Sequence, residues 1–93
     1  MTKGELVAAM AEKAGISRTE ARQALEAFLS SVVGALKRGD EVRLMGFGSF
    51  TPVHRPAGAA RNPRTGETVR RAASATARFR AGDGLKSALN GHG

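Results

Sequence analysis

Arg61-Asn62-Pro63-Arg64-Thr65-Gly66 sets two arginines around a proline in a segment built as a turn. Proline fixes its own φ and pushes Asn62 toward an extended conformation, so Asn-Pro opens the turn. Thr-Gly closes it, glycine supplying the positive φ that a hairpin end commonly requires. On either side lie stretches rich in alanine, arginine and small polar residues. Two strands of roughly ten residues each, at roughly 3.3 Å per residue, make a ribbon about 30 Å long. Such a ribbon has no core of its own. It reads as an arm with a tip.

The rest of the chain has to carry that arm. With 93 residues the chain is one small domain, and a chain of this size buries only about three-fifths to two-thirds of its unfolded surface. Of its 21 Val, Ile, Leu, Met and Phe residues, only Val53, Val69 and Phe79 fall between Thr51 and Gly84. A third of the sequence thus contributes little to a core, and pairing with a second copy is the simplest remedy.

Charge is divided as unevenly as hydrophobicity. Met1 to Glu41 holds six basic and six acidic residues, whereas Val42 to Gly93 holds nine basic and two acidic ones, so the whole net charge of +7 lies in the half with the arm. That asymmetry favours an anionic polymer or surface as partner. The absence of cysteine excludes disulfides, a thiolate nucleophile and Cys-based zinc sites. No apolar run is long enough for a signal peptide or a spanning helix, so the expectation is a soluble intracellular protein that does not engage membranes.

Ahead of the arm, Thr2-Lys3-Gly4-Glu5 fits a capping box, with Thr2 accepting from a first-turn N–H and Glu5 returning to the Thr2 amide. Leu6, Val7, Met10, Ala11 and Ala14 then recur at helical spacing up to Gly15. Ser17-Arg18-Thr19-Glu20 is a second capping box. It opens the strongest helix, with Ala21, Ala24, Leu25, Phe28, Leu29, Val32, Val33 and Leu36 forming a stripe too large for one short helix to cover. Two helices joined by a short turn invite a helix-turn-helix reading. The zero net charge of this half argues against a groove-reading helix and for a packing and dimerisation unit.

Strands follow. Val42 and Leu44 share one face, with Arg43 opposite; Gly46-Phe47-Gly48-Ser49-Phe50 is a tight bend with two large aromatics. Pro52 and Pro56 exclude a central strand from the outgoing limb but suit an edge. On the return limb, alternation places Val69, Arg71, Ala73, Ala75, Ala77 and Phe79 on one face and Arg70, Ala72, Ser74, Thr76, Arg78 and Arg80 on the other, unless a bulge shifts it. Asp83 begins a short helix in which Leu85 and Leu89 are an i, i+4 apolar pair. No catalytic constellation is present: His54 has no carboxylate near it in sequence, His92 lies between glycines, and single histidines do not make a metal site. An enzyme, a metal and a cofactor are therefore not expected.

Gly46-Phe47-Gly48-Ser49-Phe50, Arg61-Asn62-Pro63-Arg64-Thr65-Gly66 and Phe79-Arg80-Ala81-Gly82 followed by Leu85-Lys86, behind paired N-terminal helices, stand in the order and spacing of the bacterial histone-like HU/IHF proteins. The chain resembles that family, and HU most, over its whole length. The resemblance implies an α+β fold as an intertwined dimer: a helical pair as base (1–39), a three-stranded antiparallel sheet with a long β-ribbon arm (41–81, arm about 52–76), and a short C-terminal helix (83–90). It implies a homodimer, or a heterodimer with a paralogue, with Leu25, Phe28, Leu29, Val32, Leu36, Phe47, Phe50 and Phe79 in the dimer core. The implied partner is double-stranded DNA, held at the minor groove and phosphate backbone and preferred when distorted, in the cytoplasmic nucleoid; no small-molecule substrate is implied.

Carried over residue by residue, Pro63 matches the tip proline that wedges between base pairs in the minor groove, a known device of the family. Arg61, Asn62 and Arg64 surround it. Arg55, Arg70 and Arg71 fall on the arm, Arg78 and Arg80 on the saddle, and Lys3 and Lys86 on flanks that meet the DNA backbone. The implied function is architectural: wrapping, bending and compacting DNA with low sequence specificity. A sequence-preferring bender of the IHF type, and an RNA-binding or assembly protein, are the alternatives. Departures from the family pattern are Asp83, where many members carry a base, Gly84, which weakens the start of the last helix, and an outgoing limb less basic and less β-prone than usual.

Overall fold

The computed structural model describes residues 1–61 and 64–91, with residues 59–61 and 69–71 given by their backbone. Helices α1 (Lys3–Ala14) and α2 (Arg18–Lys37) come first, then β1 (Val42–Leu44), β2 (Gly48–Arg55), β3 (Gly58–Arg61), β4 (Thr68–Arg71), β5 (Ser74–Ala81) and α3 (Asp83–Leu89). The chain forms two compact units, Met1–Ala35 and Leu36–Gly93.

Both capping boxes form, with one difference. At α2 the pair is reciprocal: the Glu20 N–H donates to Ser17 Oγ at 3.0 Å and the Ser17 N–H donates to Glu20 Oε1 at 3.0 Å. At α1 the Glu5 N–H donates to Thr2 Oγ1 at 3.2 Å, but the Glu5 carboxylate receives the Thr2 hydroxyl rather than the expected Thr2 amide. A hydroxyl donor that rotates freely competes well for an exposed carboxylate. In the first unit α1 and α2 meet through Val7, Ala11, Ala21 and Leu25, with Met10 packed against them, and Lys3 is ion-paired with Glu26. Only two members of this cluster are larger than alanine. The long α2 stripe is therefore split: Ala21 and Leu25 are buried, whereas Phe28 stays 41% exposed and Val33 52%.

In the second unit β1, β2 and β5 form an antiparallel sheet in that order, and β3 pairs with β4. The β1–β2 turn is closed by the Phe47 N–H donating to the Leu44 carbonyl at 2.9 Å, with Gly46 at φ 81°. That left-handed position explains the first glycine of the bend. The second, Gly48, is explained by space. A Cβ there would lie 2.5 Å from the Arg80 carbonyl oxygen and 2.6 Å from the Phe79 ring. The bend also holds α3 in place, Gly82 N–H donating to the Phe47 carbonyl at 2.8 Å and Leu85 N–H to the Gly46 carbonyl at 2.9 Å.

Gly84 belongs to this lock, which changes its meaning. As a helical glycine it costs α3 about 1 kcal/mol relative to alanine. A Cβ at this position, however, would run into the Gly46 carbonyl oxygen that Leu85 binds. Backbone on both sides leaves little room to relax, and overpacking of this kind costs about 1–3 kcal/mol.

The register of the ribbon runs unbroken through a gap. Phe50 faces Phe79 and Arg55 faces Ser74 in the inner segment; Gly58 faces Arg71 and Arg61 faces Thr68 in the outer one. The gap takes out two residues from each limb, Pro56-Ala57 and Ala72-Ala73, so pairing resumes in step and no bulge shifts the faces.

Two outcomes test this account. Gly84→Ala lowers stability in a denaturant melt, although helix propensity alone would raise it. Glu20 is the second case. The Ser17 backbone N–H first, and the Ser17 hydroxyl second, hold its carboxyl below the usual carboxylate range. A lowered pKa in the fold means stabilisation that is present above the unfolded-state value and lost as pH falls through the folded one. Glu20→Gln therefore melts below the parent at neutral pH, and the gap closes on acidification through the carboxylate range.

Candidate nucleic-acid interface

Alternation along β1, β2 and β5 sorts the second unit into an apolar face and a cationic one. On the apolar face the register aligns Val42, Phe50 and Phe79 across three strands, with Pro52 opposite Ala77. Phe79 is the hub: its ring centroid lies 5.0 Å from that of Phe50 and 5.6 Å from that of Phe47, both rings tilted against it. Tilted pairs at such spacings contribute about 0.5–1.5 kcal/mol beyond the area they bury. Phe79 and Phe47 nonetheless remain 43% and 46% exposed.

The opposite face carries Arg78 and Arg80 on β5, set against Thr51 and Ser49 of β2. The expected alternation of Ser74, Thr76, Arg78 and Arg80 away from Ala75, Ala77 and Phe79 is present along the whole of β5. Farther out on this face Arg55 stands opposite Ser74. Among the described residues no ion pair involves Arg55, Arg78 or Arg80, and all three are exposed. Small hydroxyl residues between them keep the surface low and supply hydrogen-bond donors. The result is a cationic face open to a large anionic partner.

One member of this face did not stand out in the sequence. Arg43 on β1 lies opposite Ser49, which lies opposite Arg80, so three strands bring Arg43, Ser49 and Arg80 into one transverse row. With Glu41, Thr51 and Arg78 these residues line a single surface depression. The signal was available: centring a hairpin on Gly46 pairs residue 43 with residue 49. It needed the register of the β5 strand as well, which no local pattern supplies.

The remaining candidates are spread along the chain. Arg61 ends β3, and Arg70 and Arg71 lie in β4, so the backbone puts them on the outer ribbon. Arg64 and Thr65 are in the exposed turn, where Thr65 Oγ1 accepts the Glu67 N–H at 3.3 Å. Asn62 and Pro63, the expected tip and wedge, lie outside the described residues, as does His92. His54 is exposed beside Arg55 and Pro56, in a second depression at the gap in the ribbon. Lys3 lies in the first unit, paired with Glu26, and Lys86 is exposed on α3. Asp83 is the first residue of α3, where a carboxylate complements the helix dipole. Among the described residues no group of three or more His, Asp or Glu could hold a metal ion, and no helix is long and apolar enough to cross a membrane.

Comparison with known proteins bears on what this face meets. The sequence pattern described as bacterial DNA-binding protein matches residues 1–90. The DNA-binding protein HU of Caulobacter vibrioides is 64% identical over 89 residues, covering 96% of this chain and 97% of the relative. HU-alpha of Vibrio cholerae is 48% identical over 89 residues, with 96% of this chain and 99% of that protein aligned. Among solved structures, Anabaena HU cocrystallised with DNA superposes with a TM-score of 0.78 at 40% identity, over 96% of this chain and 97% of that one. With its sheet, ribbon and glycine-locked bend in place and residues 1–90 matched, the chain belongs to the bacterial DNA-binding protein family of HU.

Proposed function

We propose that this protein is a histone-like architectural protein that wraps, bends and compacts double-stranded DNA with little sequence preference. The observation that carries the reading is the cationic sheet face, whose Arg55, Arg78 and Arg80 are exposed and have no carboxylate partner among the described residues. Arginines on such a face neutralise phosphates and release condensed counterions, a source of affinity that carries little sequence information. The outer ribbon extends the contact with Arg61, Arg70 and Arg71. At its tip Pro63, flanked by Asn62 and Arg64, acts as the wedge. Proline is rigid and apolar and asks for no hydrogen bond, so it can enter a base step at an unstacking cost of a few kcal/mol. Bent DNA then meets more of the protein. Duplexes already nicked or kinked spare that cost and bind best.

The working form is a dimer. Each compact unit has its own unfilled apolar face: Phe28, Leu29 and Val33 in the first, Phe47 and Phe79 in the second. A fully buried side chain of this size contributes about 1.5–3 kcal/mol, so a second copy of the chain, or a close paralogue, gains from covering them. Val32, Leu36 and Phe50, half-buried in one copy, complete that core; Leu25, expected there as well, is already buried against α1 within its own unit and has nothing left to offer a partner. Such a protein works on the nucleoid, in the cytoplasm, without cofactor or catalysis.

The test compares the parent with Pro63→Ala and Arg80→Gln on intact and nicked duplexes, with binding followed over a salt series and bending by energy transfer between duplex ends. The parent prefers the nicked duplex. Pro63→Ala loses bending while keeping most of the salt dependence. Arg80→Gln weakens binding on every sequence and lowers the slope of log K against log salt by about 0.9 for each phosphate that is no longer neutralised. Equal bending by parent and Pro63→Ala would reduce Pro63 to a turn residue and the arms to charged tethers.

A further inference from the structure

Arg43 differs from the other arginines of the sheet face in one respect: it is occupied. Its Nε and Nη2 donate to a single carboxylate oxygen, Oε1 of Glu41, at 3.3 and 3.2 Å. Glu41 directly precedes β1, and two residues along an extended chain bring a side chain back to the same face. Glu41 accordingly lines the same depression as Arg43, Arg78 and Arg80. The other described ion pairs, Arg38 with Asp40 and Lys3 with Glu26, contribute nothing to that lining.

We propose that Arg43 is a further phosphate contact of the sheet face and that Glu41 is its built-in competitor, holding the guanidinium in the free protein and yielding it to DNA. The proposal rests on the reading of the sheet face as the DNA-binding surface. Arg43 and Arg80 sit in one row with Ser49 between them, two strand spacings or about 10 Å apart, so Arg43 widens the cationic face rather than doubling a charge already there. The Arg43 side chain is 79% exposed, within reach of a partner laid across the row. An exposed pair of this kind is weak and screened by salt, whereas a phosphate on a polyanion is a competing acceptor backed by the field of its neighbours. Once displaced, the Glu41 carboxylate remains on the same face and repels the phosphate that replaced it. Glu41 therefore lowers affinity twice, through the pair that has to open and through the charge left behind.

The two contributions separate in a double-mutant cycle on the full-length protein, with Glu41→Gln, Arg43→Gln and the double variant titrated against one nicked duplex over a salt series. Glu41→Gln tightens binding by about two- to fivefold at low salt, the range that opening of one exposed ion pair allows. The gain shrinks as salt rises. It is larger in the parent than in the Arg43→Gln background, because only the parent has a pair to release. Asp40→Asn, the same change of charge one residue away, gives a gain that does not depend on residue 43. Matching circular dichroism melts establish that each variant is folded.

Equal gains from Glu41→Gln with and without Arg43 would overturn the proposal, since Glu41 would then act only as a distant charge. No gain at all would overturn it as well. Arg80→Gln, measured in the same series, tells the two levels apart: if it weakens binding while the cycle shows no coupling, the sheet-face reading stands and the competitor does not. If Arg80→Gln leaves binding unchanged, the sheet-face reading falls and takes the competitor with it.

Discussion

Phe50 faces Phe79 across the central strand pair, and the strand beside them has Val42 in line. Everything outside the helical unit depends on that alignment. The ribbon has almost no apolar residues of its own, so its register is set at the base and propagated outward by backbone hydrogen bonds. A one-residue slip would carry Arg78 and Arg80 to the apolar face and bring Phe79 out among the arginines. Gly48 makes the alignment selective, because the Phe79 ring and the Arg80 carbonyl occupy the place of any side chain there. The same bend anchors α3 through the Gly46 and Phe47 carbonyls. One aromatic hub and a few glycines thus hold the cationic face, the ribbon and the last helix in a common frame.

Much of this was legible in order along the chain. Capping boxes marked both helix starts, since Ser or Thr with Glu three residues on satisfies the free N–H groups locally, without reference to the rest of the fold. The return limb and its alternating faces followed from the period-two pattern, whereas the three-stranded sheet was implied by the family resemblance. What local pattern could not supply was contact between distant segments. Gly84 looked like a weak helical residue because the carbonyl that excludes a Cβ comes from Gly46, far away in sequence. Alternation put Arg43 on the face opposite Val42 and Leu44, but only the register of β1, β2 and β5 places it in a row with Arg80. The wedge is of another kind: nothing in the composition distinguishes a proline that unstacks bases from one that merely turns the chain, and the role proposed for Pro63 rests on the family resemblance alone.

The apolar and cationic halves of the design also constrain each other. The first unit is neutral in net charge and rich in apolar side chains that its small core leaves uncovered; the second has the entire excess of positive charge. The neutrality of the first unit keeps like charge away from its exposed apolar side chains. It also leaves the arginines concentrated where a polyanion can meet many at once. Acidic residues in the basic half are few, so the position of each one matters. Asp83 is placed at a helix start, and Glu41, just ahead of β1, sits against Arg43.

The gap in the ribbon has a consequence for how such an arm can vary in length. Two residues leave the pairing on each limb, Pro56-Ala57 and Ala72-Ala73, and the register beyond is the one that would have continued without them. A single residue added to or removed from one limb would invert the facing of that limb beyond the change and put it out of step with its partner. Matched pairs on both limbs would not. The reach of the arm is therefore quantised, in steps of about 6.6 Å for two residues per limb, and a lineage or a designer can lengthen or shorten it with its facing intact only by editing both limbs together.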